Sequence, residues 1–162
     1  MEGDHTRKPL LKEDYSEANP SISPDGKYLA YLSNESGQER IYVRPFPEVN
    51  KGKWQISTGN GESPLWSPDG RALFYLSDEG AMEVPVDTRG TFNAGKPGIL
   101  FKGPYVSGYG EAEAPSWDIS PDGKRFLMIK QPPSTTPEGS ALRKINIVLN
   151  WFEELKQRVP LK

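Results

Sequence analysis

Ser23-Pro24-Asp25-Gly26, Ser67-Pro68-Asp69-Gly70 and Ser120-Pro121-Asp122-Gly123 are three copies of one tetrapeptide, and they decide the fold of this chain. Their first residues lie 44 and 53 positions apart. Each copy follows a proline-led segment with apolar residues and precedes a basic residue and an apolar run. Self-similarity at a period of about 45 residues is typical of chains built by repeating one supersecondary unit.

The residue order of the tetrapeptide predicts a tight turn between two antiparallel strands. Serine at the first position can bond to the backbone two residues on, proline presets the second position and aspartate suits the third. The glycine that follows adopts a left-handed backbone conformation at no steric cost. Together they make a three-residue hairpin loop. Three serines at the same turn position indicate an architectural role, which we favour over a role as nucleophiles.

Further strand candidates follow each hairpin, at 40–46 and 53–57, at 81–86 and 98–101, and at 144–149. Four short strands in each repeat is the pattern of a propeller blade. We therefore predict an all-β fold, a partial β-propeller of about three four-stranded blades with a short C-terminal helix. The predicted single domain covers residues 1–162, with blades at 19–59, 63–102 and 114–149.

The two ends of the sequence give separate predictions. Residues 6–12 resemble the last strand of a blade, which indicates either a cut fragment or a strand shared with the final blade. Residues 150–159 predict a helix, because Asn150 is a good N-cap with Glu153 three residues on. An apolar stripe of Trp151, Leu155 and Val159 favours a cap packed on the last blade over a helix that docks a partner.

Composition excludes several classes of site. The chain has 162 residues, a net charge of −2, no cysteine and one histidine, His5. A Ser-His-Asp triad, a multi-histidine metal site and disulfides are therefore not expected. We predict no catalytic, cofactor-binding or metal-binding residue, no nucleic-acid binding and no membrane span. The opening residues 1–5 are polar and do not resemble a signal peptide.

The charged residues separate by loop position. In a four-stranded blade, the loops after the second and fourth strands lie on one face, here called the loop face; its predicted loops are 33–39, 58–63, 77–80, 103–114 and 131–142. These loops contain acidic residues and no Lys or Arg: Glu35, Glu39, Glu62, Asp78, Glu79, Glu111, Glu113 and Glu138. A face of one sign concentrates ions of the other sign. We expect either ordinary solvated loops or weak, salt-sensitive binding of a basic protein or peptide.

The segment 103–114 of that face contains two tyrosines flanked by glycines, Tyr105 and Tyr109. Such tyrosines are adaptable contact residues, or they fold back on the blade edge. The predicted partner-binding set is Glu62, Asp78, Glu79, Tyr105, Tyr109, Glu111 and Glu113. Trp54, Trp66 and Trp117 are predicted to be packed rather than ligand-binding.

Residues 20–31, Pro-Ser-Ile-Ser-Pro-Asp-Gly-Lys-Tyr-Leu-Ala-Tyr, resemble the TolB-like propeller repeat. The segments 33–37, 41–47, 53–59 and 147–155 are similar to a bacterial subgroup in which such propellers follow a serine/threonine protein kinase domain or stand alone. The resemblance implies a C-terminal part of a six- to eight-bladed propeller on the extracytoplasmic side. No kinase signature is present in this sequence.

Three blades leave open sheet edges, which invite pairing with another chain. We expect either a homodimer that closes a six-bladed ring or missing blades supplied by a longer chain. The leading function is a non-catalytic binding or scaffold module that presents acidic loops to a protein or peptide. The alternatives are the sensor region of a bacterial serine/threonine kinase and the gating propeller of a prolyl-oligopeptidase-like peptidase, the latter disfavoured because no hydrolase domain follows.

Overall fold

The computed structural model describes residues 9–103, 105 and 116–130, and the backbone of 145–147. Within this part the chain forms three antiparallel sheets and one short 3-10 helix at Val49–Lys51. The first sheet has the order β1-β2-β3-β4, with β1 at Glu17–Ile22, β2 at Tyr28–Ser33, β3 at Arg40–Pro45 and β4 at Trp54–Gln55.

The second sheet is built in the same order and has a divided outer edge. Its strands are β5 at Glu62–Trp66, β6 at Ala72–Ser77, β7 at Gly80–Asp87, β8 at Asn93–Ala94 and β9 at Gly98–Phe101. Both β8 and β9 pair with β7, at different parts of its length. The third sheet has the order β10-β11-β12, at Trp117–Ile119, Phe126–Ile129 and Ile145–Ile147. This architecture confirms the prediction of an all-β partial propeller.

The repeated tetrapeptides form the predicted hairpin turns. Gly26, Gly70 and Gly123 adopt φ values of 72°, 69° and 71°, in the left-handed region. In each turn the serine hydroxyl donates to the aspartate carboxylate, at 2.7, 2.7 and 2.5 Å in chain order. The same hydroxyl accepts a backbone N–H five residues on, at 2.9 to 3.0 Å. The serines therefore close the turns.

We expect Ser67→Ala to lower the free energy of unfolding by about 1–3 kcal/mol, because the buried N–H of Ala72 loses its hydroxyl acceptor. Urea unfolding followed by tryptophan fluorescence measures the change. Ser36→Ala is the matched control, since the Ser36 hydroxyl is exposed and contacts only the Gln38 carbonyl, at 3.3 Å. Equal unfolding midpoints for the two variants would contradict a structural role for the turn serine.

Two apolar clusters join the sheets in sequence order. The first lies between sheets one and two and contains Ala30, Val43, Leu73, Tyr75 and Val84 among others. The second lies between sheets two and three and is centred on aromatic residues and Met128. The first strands of the three sheets contact one another in chain order, β1 with β5 and β5 with β10. These three strands are the inner strands, as expected for blades arranged around a common axis.

Two tryptophans connect the inner strands. The indole N–H of Trp66 donates to the Ser21 carbonyl at 3.0 Å, and that of Trp117 donates to the Ser63 carbonyl at 2.9 Å. Both are buried, as predicted. Trp54 is half-buried and packs edge-on against Tyr28, with ring centroids 6.2 Å apart. All three tryptophans are therefore packed against other side chains, as predicted.

The predicted end segments have different outcomes. Residues 9–12 of the expected strand at 6–12 form no strand, and Leu11 packs instead against an apolar cluster of the first sheet. Residues 6–8 and the predicted helix at 150–159 lie outside the described residues. The short strand β8 was not predicted, because two residues are too few to show an alternating pattern.

Candidate functional site

A cleft on the loop face contains two of the predicted partner-binding acids. Asp78 and Glu79 form the tip of the turn between β6 and β7, and both are exposed. They line a cleft of about 500 Å³ together with Lys102, Gly103 and Tyr105. We call it the acidic cleft.

Local geometry holds this turn in place. The Ser77 hydroxyl donates to the Gly80 carbonyl at 3.0 Å and accepts the Glu79 N–H at 3.2 Å. Gly80 has a φ of 130°, and a Cβ atom there would lie 2.5 Å from the Phe101 carbonyl oxygen. Only glycine fits this position, so the turn lies tightly against β9. The two carboxylates are thereby directed to solvent.

Loops of neighbouring sheets meet on the same face. The Asn60 side-chain amide donates to the Asp78 carboxylate at 3.1 Å, which joins the loop after β4 to the turn after β6. This contact places residues 58–63 and 77–80 together, as the order of strands predicts. Glu62 begins β5 beside this junction and is half-buried.

The prediction that this face has no basic side chain was incomplete. Lys53 precedes β4 and lies outside the predicted loops of this face, yet its Nζ lies 2.7 Å from Glu35 Oε1. The same Nζ also lies over the Tyr42 ring, 5.7 Å from its centroid. Arg40 also lies at this face, where its guanidinium donates to the Thr58 carbonyl. Glu35 is thus neutralised, and the net charge of the face is less negative than its loops suggest.

Tyr105 takes the folded-back position that the sequence left open. It is half-buried, its ring packs edge-on against Phe101 with centroids 5.5 Å apart, and it covers Gly103. Its backbone bridges to Lys130 of the third sheet. Tyr105 is therefore a wall of the acidic cleft and not a free contact residue. Tyr109, Glu111 and Glu113 lie outside the described residues.

A second cleft, here called the axial cleft, lies between the inner strands and has a volume of about 410 Å³. Asn19 of β1 and Ser63 of β5 line it, and each sits at a shift of strand register. Both have positive φ, 57° and 50°, which is uncommon for residues other than glycine. Such bulges turn a side chain out of the regular alternation of a strand.

Equivalent residues of the three repeats, in or next to the inner strands at the axial cleft, have unpaired polar atoms. Asn19 Nδ2, Ser63 Oγ and Ser116 Oγ are buried and have no hydrogen-bond partner among the described residues. All three stand four positions before the first serine of their tetrapeptide. Burial also raises the pKa of the nearby Glu17 carboxyl, against the opposing charge of Arg44. These polar positions were not predicted from the sequence, although a polar residue four positions before each tetrapeptide was their signal.

Among the residues that the structure describes, no group of His, Asp and Glu side chains is placed to hold a metal ion. In the same part of the chain, no helix has the length and apolar character needed to cross a membrane.

No protein-family model matches this sequence, and no curated protein is significantly similar to it. The fold is similar to that of a putative TolB from Agrobacterium tumefaciens, with a TM-score of 0.53 and 17% identity. It is also similar to that of an oligogalacturonate lyase from Vibrio parahaemolyticus, with a TM-score of 0.53 and 22% identity.

These similarities cover 77% and 78% of this chain but only 41% and 34% of the two larger proteins. The chain thus spans less than half the length of either. At this level of identity the likeness concerns the fold alone, a partial β-propeller.

Proposed function

We propose that this chain is a non-catalytic β-propeller module whose loop face binds a basic peptide segment of a partner protein. One observation carries the proposal. The exposed carboxylates of Asp78 and Glu79 lie side by side along a cleft of about 500 Å³, and within the described residues neither makes an ion pair with Lys or Arg.

The chemistry of the cleft suits a lysine or arginine side chain. Two adjacent carboxylates attract a cation and can accept its hydrogen bonds. The Tyr105 ring on the cleft wall offers an apolar surface for the aliphatic stem of that side chain. Lys102 lines the same cleft and opposes binding. Because these charges are exposed, we expect weak affinity that decreases as salt is added.

A fluorescein-labelled peptide of alternating lysine and glycine is the probe, titrated with the full chain by fluorescence anisotropy at low and at physiological salt. We expect Asp78→Asn/Glu79→Gln to weaken binding roughly two- to thirtyfold, from about 0.2–1 kcal/mol for each of two exposed charge pairs. Lys102→Ala should strengthen binding, because it removes a like charge from the cleft.

Glu48→Gln/Asp87→Asn is the matched control for that experiment. It removes the same number of negative charges, but at the opposite end of the strands, from the loop after β3 and the last residue of β7. If both double variants weaken binding equally, the effect comes from net charge and the proposal is wrong. Binding that persists unchanged in the Asp78/Glu79 variant would also overturn it.

Two further parts of the proposal, a sensor role and the non-catalytic character, are supported by the amino-acid sequence. A sensor role next to a bacterial serine/threonine kinase is supported by the resemblance of residues 41–47 and 53–59 to that subgroup. A kinase domain in the same reading frame would support it. The non-catalytic character is supported by the absence of cysteine and by a single histidine in the sequence, which leaves few groups for nucleophilic or acid–base catalysis.

A further inference from the structure

We infer that the outward face of the third sheet is a docking surface for the first sheet of a second copy of this chain, and that residues 9–16 compete for the same place. The inference concerns the assembly of the propeller and does not depend on the proposed peptide site. It follows from which residues of each repeat contact the neighbouring sheets.

The contacts between sheets use fixed positions of the repeat. Leu73 and Tyr75 stand six and eight residues after Ser67 and pack toward the preceding sheet. Phe126 and Met128 stand at the same distances from Ser120 and also pack toward the preceding sheet.

The alternate positions pack toward the following sheet. Phe74 and Leu76, seven and nine residues after Ser67, lie in the cluster shared with the third sheet. Each boundary between the described sheets therefore joins residues seven and nine positions after the turn serine of one repeat to residues six and eight positions after the turn serine of the next. We call these the seven/nine and the six/eight positions.

The two outer faces of the described sheets present the two kinds of position that meet at such a boundary. Leu127 and Ile129 hold the seven/nine positions of the third repeat, and they are 42% and 36% exposed. We call this the trailing face. Leu29 and Tyr31 hold the six/eight positions of the first repeat; together with Ile22, which pairs with Leu29 across β1 and β2, they form the leading face.

A short segment covers part of the leading face. Residues 9–16, here called the strap, place Leu11 against the cluster of Leu29, Tyr31, Tyr42 and Val49. Polar contacts also hold the strap: Glu13 pairs with the buried Arg44 at 3.3 Å, and the Ser16 N–H donates to Asn34 at 2.9 Å. Ile22 remains 43% exposed beside it.

A second copy of this chain is the occupant that fits the trailing face. Its leading face would contact the trailing face through the same repeat positions that form the two boundaries within one chain. Two copies joined in this way at both boundaries contain six sheets, within the four to eight blades that propellers use. The contact would then occur twice about a two-fold axis. The strap must leave the leading face for this to happen, so it weakens self-association.

Sedimentation of the full chain over a concentration series tests the inference. We expect Leu11→Asp, which loosens the strap, to tighten dimerisation roughly tenfold or more, as one leucine side chain leaves the competing contact. Adding Leu127→Asp to that variant should restore the monomer. A folded Leu11→Asp chain that stays monomeric, or one that forms open-ended oligomers, would overturn the inference.

Disulfide cross-linking gives a second measurement that leaves the strap sequence intact. The chain has no cysteine of its own, so Ile22→Cys and Leu127→Cys chains can be mixed and oxidised; both positions lie beside the turn end of their hairpins. We expect a cross-linked heterodimer from this mixture. Ile99→Cys is the matched control, because Ile99 is an isoleucine of similar exposure, 45%, on the outer strand β9. Equal cross-linking of Leu127→Cys with either partner would also overturn the inference.

Discussion

Phe126→Ala should lower the free energy of unfolding by about 3–5 kcal/mol, the usual cost of removing a buried phenylalanine side chain. Phe126 is buried between the second and third sheets. Its ring contacts those of Phe74, Phe101 and Trp117, with centroid distances of 5.1, 5.7 and 5.6 Å. Because small domains are stable by only about 5–15 kcal/mol, urea unfolding should show a large shift of the midpoint.

Leu127→Ala is the control for this substitution. Leu127 is the next residue of β11, is also apolar, and points to the other side of the sheet, where it is 42% exposed. We expect it to cost less than about 1 kcal/mol, since little buried area is lost. Similar losses at both positions would mean that the third sheet does not pack on the second as described.

Arg44→Met should destabilise the chain by about 2 kcal/mol, because a buried hydroxyl loses its hydrogen-bond partner. Arg44 Nε donates to the Tyr31 hydroxyl at 2.7 Å, and both residues are buried. Methionine retains part of the apolar stem of the side chain but supplies no donor. Urea unfolding measures the loss, and hydrogen exchange should show faster exchange in the strap, whose Glu13 contact is also removed.

Arg71→Met is the matched control for the arginine. The Arg71 side chain is exposed just before β6, so its replacement should change the free energy of unfolding by less than about 0.5 kcal/mol. If Arg44→Met is as mild as Arg71→Met, the buried guanidinium contributes little, and the strap is held by Leu11 and the Ser16–Asn34 contact.

The fold could be predicted from the sequence because its determinants are local. The turn at residues 23–26 and its two copies need only their own serine, proline, aspartate and glycine to define hairpins. The apolar runs that follow then specify strands buried on both faces. Trp66 and Trp117 were correctly predicted to be packed, because they precede such turns in strands that neighbouring sheets cover.

The candidate site was less predictable, since it depends on contacts between distant residues. Lys53 lies before β4, and only the folded sheet shows that its side chain reaches Glu35. The positive φ values of Asn19 and Ser63 arise from a register shift that no local pattern indicates. The direction of Tyr105 depends on its packing against Phe101, which the neighbouring glycines did not reveal.

The indole hydrogen bonds from Trp66 to Ser21 and from Trp117 to Ser63 have a consequence for cooperativity. Each connects one sheet to the sheet before it, so the stability of the chain is close to a sum of nearest-neighbour terms, as in other repeat proteins. The second sheet takes part in both couplings, and each outer sheet takes part in one. The second sheet therefore contributes most to the stability of the described sheets. Partial unfolding requires the least free energy at the first and third sheets.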